Sequence, residues 1–409
     1  MISQAHGIWG TAIEVPGTAA LNLGYAEITS VSCARAGDCS AGGLYTDSSG
    51  VGQAFVVSQA HGIWGTAIEV PGTGALNQDG SAEITSVSCA RAGNCSAGGY
   101  YTGDPFSEAF VVSQVHGIWG TAIEVPGTDR LNEGGFAEIT SVSCARAGNC
   151  SAGGTYNDPS GLAQAFVVSQ VHGTWGTAIE VPNPAALSDG LAVTSSVSCA
   201  RAGDCSAGGL YTEPSGRVQA FVINQVHGTW GTAIEVPGTA ALNQGGTAEI
   251  NSVSCTRPGD CSAGGHYVDS SDNAQAFVVS QVHGTWGTAI EVPGTAALNQ
   301  GGLAVISSVS CARAGNCSVG GFYTDSSGVG QAFVVSQAHG TWGTAIEVPG
   351  TAALNQAGFA VISSVSCGRA GDCSAGGYYT DTSFHTHAFL VSQVHGTWGT
   401  AFEVPGTAP

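Results

Sequence analysis

Apolar and polar positions along this chain alternate in short runs, and the same order of runs then begins again. Within Phe136–Pro182, FAEITSVSC is rich in β-branched and small residues and predicts a first strand, A. After a five-residue connection, CSAGGTYND predicts strand B and ends in turn residues. LAQAFVVSQVHG has an apolar centre and predicts strand C. TWGTAIEVP sets Trp175, Thr177, Ile179 and Val181 against Gly176, Ala178 and Glu180, the period of two that marks a half-buried strand D. No stretch shows helical periodicity with caps.

The block recurs along the whole chain. Trp stands at 9, 64, 119, 175, 230, 286, 342 and 398, in steps of 55 or 56 residues. A fixed period of this length points to propeller blades. One four-stranded antiparallel sheet cannot bury both of its faces, whereas sheets stacked radially bury them against one another. The expectation is an all-β, seven-bladed β-propeller with four antiparallel strands per blade. Its blades fall at about 26–72, 82–127, 137–182, 192–238, 248–294, 304–350 and 360–406. The glycines of SAGG suit a crowded strand near the axis. Residues 1–18 form a surplus half repeat ahead of the propeller at 19–409. Either Trp9–Pro16 displaces Trp398–Pro405 from the last blade, or one copy forms an extra edge open to pairing with another molecule.

Each complete unit carries one C-x5-C pair: Cys33/Cys39, Cys89/Cys95, Cys144/Cys150, Cys199/Cys205, Cys255/Cys261, Cys311/Cys317 and Cys367/Cys373. Both members close the A–B hairpin, so one disulfide per blade is expected, contributing roughly 2 kcal/mol in the loop-entropy model. Such bridges imply an oxidising, extracellular compartment. A zinc site needs four ligands, usually at closer cysteine spacing, and no fourth ligand type recurs. No metal and no cofactor are expected.

Composition narrows the partners. The chain has 9 basic residues, all of them Arg, against 29 acidic ones, a formal charge of −20. A phosphate backbone needs clustered positive charge, so nucleic acid is not an expected partner. No run of 18 apolar residues exists, and no membrane insertion is expected. The opening MISQAHGIWG reads as the end of a repeat and not as a secretory signal.

With the C–D turn in view, a resemblance appears. SQVHGTW at Ser169–Trp175 resembles a degraded Asp-box, the S-x-D-x-G-x-T-W turn of sialidases and other propellers, one residue short and without the Asp. Thr is replaced by Ile8, Ile63 and Ile118 in the first three units. The whole unit, SVSC…G(D/N)CSAGGYYTD…QAFVVSQ…GTWG, resembles blade repeats of secreted actinobacterial proteins over essentially the full chain. The resemblance implies a β-propeller and leaves function open, because propellers host lectins, enzymes and scaffolds alike.

Candidate chemistry is sparse. The strand D carboxylates Glu14, Glu69, Glu124, Glu180, Glu235, Glu291, Glu347 and Glu403 hold one equivalent place and read as a solvated outer face. Seven of the nine Arg lie inside the cysteine loops, leaving Arg130 and Arg217 elsewhere. No triad, nucleophile elbow or phosphate loop is found. The recurring His (His61, His116, His172 and their equivalents) reads as a turn residue. His385 and His387 stand two apart on one strand face, a spacing that can hold a metal, but they read as a local loop variant.

The B–C connections vary most between copies, for example LYTDSSGVGQ, YYTGDPFSE and HYVDSSDNAQ. The D–A connections vary next, for example PGTDRLNEGG and PNPAALSDG. In a propeller both lie on one face. That face is expected to present Tyr45, Asp47, Tyr101, Asp104, Tyr156, Asp158, Tyr211, Tyr267, Asp269, Tyr323, Asp325, Tyr379 and Asp381 to a ligand. Rings that stack on C–H faces, beside groups that bind hydroxyls, suit sugars. The expected function is therefore a secreted, non-catalytic, lectin-like module whose several weak sites gain from a repetitive glycan or cell-surface polymer. The alternatives are a self-associating structural scaffold and, third, a glycan-active hydrolase.

Overall fold

The computed structural model describes residues 1–5, 7–78, 80–181, 190–356 and 358–406. Seven sheets of one design make a seven-bladed β-propeller. The chain divides into two compact units. One holds residue 1 with residues 14–207 and 223–233, the other residues 2–13, 208–222 and 234–409.

Blade 3 shows the design. Strands A (Ala137–Arg146), B (Asn149–Asn157) and C (Ala163–Val171) pair antiparallel in sequence order. Cys144 faces Cys150 directly in the register, and bulges lie between Ile139 and Ser141 and between Cys144 and Arg146. All seven expected disulfides are formed, each with Cα atoms 3.9–4.0 Å apart.

The bridges are more than the hairpin closures that their spacing suggests. The strand B member of every pair is buried: Cys39, Cys95, Cys150, Cys205, Cys261, Cys317 and Cys373 are only 3–9% exposed. Each stands on the core face of strand B. Cys95, Cys150, Cys261, Cys317 and Cys373 belong to the hydrophobic clusters between blades, with strand A partners such as Cys89 and Cys144 packed against them. The buried sulfur also touches the preceding blade. Sγ of Cys95 lies 3.4 Å from Ser40 Oγ, that of Cys205 3.4 Å from Ser151 Oγ, that of Cys317 3.4 Å from Ser262 Oγ and that of Cys373 3.4 Å from Ser318 Oγ. The disulfides are therefore core residues as well as staples.

Strand D differs from the expectation. It breaks into D (Thr174–Trp175) and D′ (Ile179–Glu180), both paired to strand C. The break has a cause: the Ala178 N–H leaves its own sheet and donates to Pro126 O of blade 2 at 2.7 Å. The equivalent bonds run from Ala67 to Pro16, Ala122 to Pro71, Ala345 to Pro293 and Ala401 to Pro349.

After D′, most D–A connections contain a four-residue helical turn, such as Thr128–Leu131. Gly127 precedes it in the left-handed region at φ 91°, which favours glycine, and Thr128 Oγ1 donates to Val125 O at 2.7 Å. A single turn has no periodicity to read, so the residue pattern does not announce it. In the corresponding PNPAALSDG connection, residues 182–189 lie outside the described residues.

The core lies between blades. Ala109, Val111 and Val125 of blade 2 meet Ile139, Val142, Phe166 and Trp175 of blade 3, all buried. A Cβ added to Gly98 would stand 2.7 Å from Ile139 Cγ2, so the glycine is the socket for the neighbouring blade's isoleucine. The same pairing joins Gly42 to Ile84 and Gly264 to Ile306. The first SAGG glycine thus answers crowding between blades, while the second answers crowding within its own blade: a Cβ on Gly99 would collide with Glu83 O of strand A. The close strand-to-strand approach belongs to strand A, where Ser30 Oγ accepts the Val87 N–H at 2.9 Å and Ser32 Oγ the Cys89 N–H at 3.0 Å.

A polar lock completes the interfaces of blades 1–2, 3–4 and 6–7. Ser58 Oγ of blade 1 accepts Gln114 Nε2 at 2.8 Å and Trp119 Nε1 at 3.1 Å from blade 2. The surplus half repeat uses the same lock. Trp9 Nε1 donates to Ser392 Oγ of blade 7 at 3.4 Å, and the Ala12 N–H donates to Pro405 O at 2.7 Å. Trp9–Pro16 therefore does not displace Trp398–Pro405. Trp398 stays paired to its own strand C, and the half repeat stands on blade 7 as each blade stands on the one before it.

Candidate functional site

The tyrosines expected to face a ligand sit inside the molecule. Tyr45, Tyr101, Tyr156, Tyr211, Tyr267, Tyr323 and Tyr379 are 2–5% exposed. The reason is the period of two along strand B: Cys39, Ala41, Gly43 and Tyr45 share the face that packs in the core. The rings of Tyr45, Tyr101, Tyr156, Tyr267 and Tyr379 lie beside the strand C phenylalanine, as in Tyr45–Phe55 at 6.4 Å between centroids. Only the phenol reaches the loop end of the blade.

There it meets the carboxylate read from sequence as a solvated outer group. Tyr45 donates to Glu69 at 3.2 Å, Tyr101 to Glu124 at 3.1 Å, Tyr267 to Glu291 at 3.0 Å, Tyr323 to Glu347 at 3.1 Å and Tyr379 to Glu403 at 3.1 Å. Burial first, and then the adjacent carboxylate, pushes these phenols upward; Tyr379 is pushed to about 12. They stay neutral donors at any ordinary pH.

The aspartates shape the loops. Asp47 Oδ1 accepts the N–H groups of Ser49 and Val51 at 2.7 and 3.0 Å, while Oδ2 accepts Gln53 Nε2 at 3.1 Å. These bonds hold its carboxyl below the usual range, the Gln53 bond foremost. Asp158, Asp269, Asp325 and Asp381 make the corresponding turns. Asp104 differs: it is exposed and precedes Pro105 through a cis bond.

Two further positions escaped the sequence reading. Gln53 on strand C links Asp47 to Asn77, whose Nδ2 donates to Gln53 Oε1 at 3.1 Å. Asn299–Gln275 and Asn355–Gln331 repeat the link at 3.0 and 3.1 Å. The signal was present, because QAF and ALN recur almost unchanged, but it was absorbed into strand and turn assignments. At the Gln position blade 2 has Glu108, and burial pushes its carboxyl up to about 7. Blade 7 has His387, with Nε2 3.0 Å from Asp381 and Nδ1 3.3 Å from Glu403. His385 lies 3.8 Å from Asp381. Among the described residues no cluster of three metal-ligating side chains forms. Exposed aromatic surface in the B–C loops comes instead from Phe106, 40% exposed, and Phe384, 79% exposed.

In blade 3 these parts surround a depression of about 500 Å³. Arg130, Glu133, Asp158, Ser160, Gln164 and Glu180 supply polar groups, with Leu131, Leu162 and Pro159 as apolar lining and Tyr156 beneath. Gln164 is held by bonds to Asp158 Oδ2 at 3.2 Å and Gly190 O at 3.1 Å. One guanidinium among three carboxylates, with an amide and a hydroxyl, offers donors and acceptors to a hydroxylated ligand. The recurring His sits elsewhere, at the C–D turn. His172 is left-handed at φ 50°, and its N–H donates to Asn149 of the cysteine hairpin at 3.4 Å.

No family model matches the chain, and no curated protein matches it in sequence. Its fold is similar to that of the BP39L lectin from Burkholderia pseudomallei, with TM-score 0.50 and 13% identity over 92% of this chain and 98% of that one. It is similar also to Chaetomium thermophilum Sqt1, solved bound to the N-terminus of the ribosomal protein L10, with TM-score 0.51 and 10% identity over 92% and 87%. A subtype N11 neuraminidase-like protein of A/flat-faced bat/Peru/033/2010 (H18N11) matches at TM-score 0.42 and 11% identity over 91% and 88%. At these identities the likeness concerns the fold alone. No described helix is long and apolar enough to cross a membrane.

Proposed function

We propose that the protein is a secreted, non-catalytic, lectin-like module that binds hydroxylated ligands at the loop ends of its blades. The blade 3 depression carries this reading: Arg130, Glu133, Gln164 and Glu180 converge beside the apolar surface of Leu131 and Leu162. Such a mixture suits a sugar, whose hydroxyls need donors and acceptors and whose C–H faces need apolar contact. The Asp–Gln–Asn framework recurs in other blades, so related weak sites gain by avidity on a repetitive glycan. A lectin and a peptide-bound protein both stand among the structures of similar fold, and the carboxylate-rich lining favours the hydroxylated ligand. Seven disulfides fit an oxidising, extracellular setting.

The test is binding of the labelled, oxidised protein to a broad glycan array, followed by titration of the best sugar. One sugar class should bind saturably, and Arg130→Ala should weaken the blade 3 site at unchanged melting temperature. A blank array on folded protein overturns the reading.

A further inference from the structure

Every blade that has a successor wears the same covering. The next blade's isoleucine, or Thr194 in blade 4, fills the first glycine of the SAGG stretch, as at Gly264 under Ile306 and Gly153 under Thr194. Its valine and cysteine N–H groups bond the Ser-x-Ser pair of strand A. Ser308 Oγ accepts Val365 N and Ser310 Oγ accepts Cys367 N, both at 3.0 Å. The strand C alanine beneath is sealed: Ala276 and Ala332 are 0% exposed.

Blade 7 presents the identical surface with its strands A to C uncovered. Ser364 and Ser366 are exposed, Ser374, Gly376 and Ala388 are partly exposed, and Tyr378 is 39% exposed. A Cβ added to Gly376 would meet only its own blade, Leu390 Cδ2 at 3.2 Å and Phe389 O at 3.8 Å. The lock and the D-strand seat of this surface are nevertheless occupied. Trp9 holds Ser392, Ala12 holds Pro405, and Gln4–Ala5 pairs with Ile8–Trp9 as the end of a strand C pairs with strand D.

We propose that the uncovered face of blade 7, beside the half repeat, is a docking surface for one more copy of strands A, B and C. The occupant is a polypeptide segment with this repeat's own sequence. Its chemistry is set by what covers the other blades: an isoleucine for the Gly376 socket, then a valine and a cysteine whose N–H groups reach Ser364 and Ser366. The half repeat supplies the end of that blade's strand C and its strand D. The surface is continuous with an interface that the molecule already repeats, which is why the repeat's own segment is favoured over an unrelated partner.

The probe is an oxidised peptide reproducing residues 303–333, strands A to C of blade 6 up to the point where Met1 and Ile2 take over. Titrated into the full chain, it should bind saturably at one copy per chain and raise the melting temperature. An Ile306→Asp version of the peptide should bind at least tenfold more weakly, and so should the native peptide on a Gly376→Leu chain. As a check independent of peptide folding, the same segment is joined ahead of Met1. Amide exchange at Ser374–Gly377 should then slow at least tenfold. Exchange unchanged in the fusion overturns the proposal. So does concentration-dependent dimerisation of the chain that protects these amides and that the peptide cannot compete with, since the occupant is then a second copy.

Discussion

Ile139 of blade 3 seats its side chain over Gly98 of blade 2, where an added Cβ would lie 2.7 Å from Cγ2. One glycine on strand B and one β-branched residue on the next strand A thus set the spacing of neighbouring blades. The three atoms nearest that Cβ are Cγ2, Cβ and Cγ1 of Ile139, at the stiff branch point of the side chain, which cannot move aside cheaply.

Gly98→Ala should therefore destabilise by about 2 kcal/mol through overpacking. Gly376→Ala meets only the flexible end of Leu390 and should cost less than about 1 kcal/mol, partly offset by reduced freedom of the unfolded chain. Denaturant titration of the two variants checks the contrast. Equal losses would mean that the Gly376 socket is already filled in solution.

Glu108 stands where blades 1, 3, 4, 5 and 6 carry Gln, and burial pushes its carboxyl from 4.5 up to about 7. A carboxyl raised on folding is stabilising only while protonated. Its contribution is intact below pH 4.5 and is lost as pH rises through about 7. Glu108→Gln should gain about 1 kcal/mol at pH 8, after allowance for solvent screening, and gain little at pH 4. Thermal melts of both proteins across that range decide it. A gain independent of pH would remove the titration of Glu108 as its cause.

Tyr323 donates to Glu347 at 3.1 Å from a ring only 3% exposed. Tyr323→Phe should cost about 1 kcal/mol of stability, and Tyr323→Ala about 3–5 kcal/mol. Sugar binding should survive the Phe change. Loss of binding at unchanged stability would restore the tyrosines as ligand contacts.

Paired replacement of Cys144 and Cys150 by Ser should cost at least about 2 kcal/mol, from the release of one short loop in the unfolded chain. Burial of Cys150 in the blade interface adds to that loss, because a hydroxyl replaces a sulfur packed among apolar groups. Denaturant titration of the paired variant measures the sum. Thiol titration of the unreduced, denatured protein should find no free cysteine. A substantial thiol count would remove the basis for the extracellular placement.

Much of this protein was legible in its sequence, because each repeat restates its own local pattern. The alternation in FAEITSVSC and CSAGGTYND marks strands wherever they fold, and Cys144 and Cys150 are too close along one hairpin to choose other partners. Period two says that a strand has two faces; it does not say what covers each. Only the packing of the folded blades decided that Tyr45 points inward and reaches Glu69 with its hydroxyl, that Cys95 rests against Ser40 and that Gly98 receives Ile139. It also decided the place of Trp9. Nothing local distinguishes Trp9 from Trp398, and the choice came from Ser392 and Pro405, nearly the whole chain away.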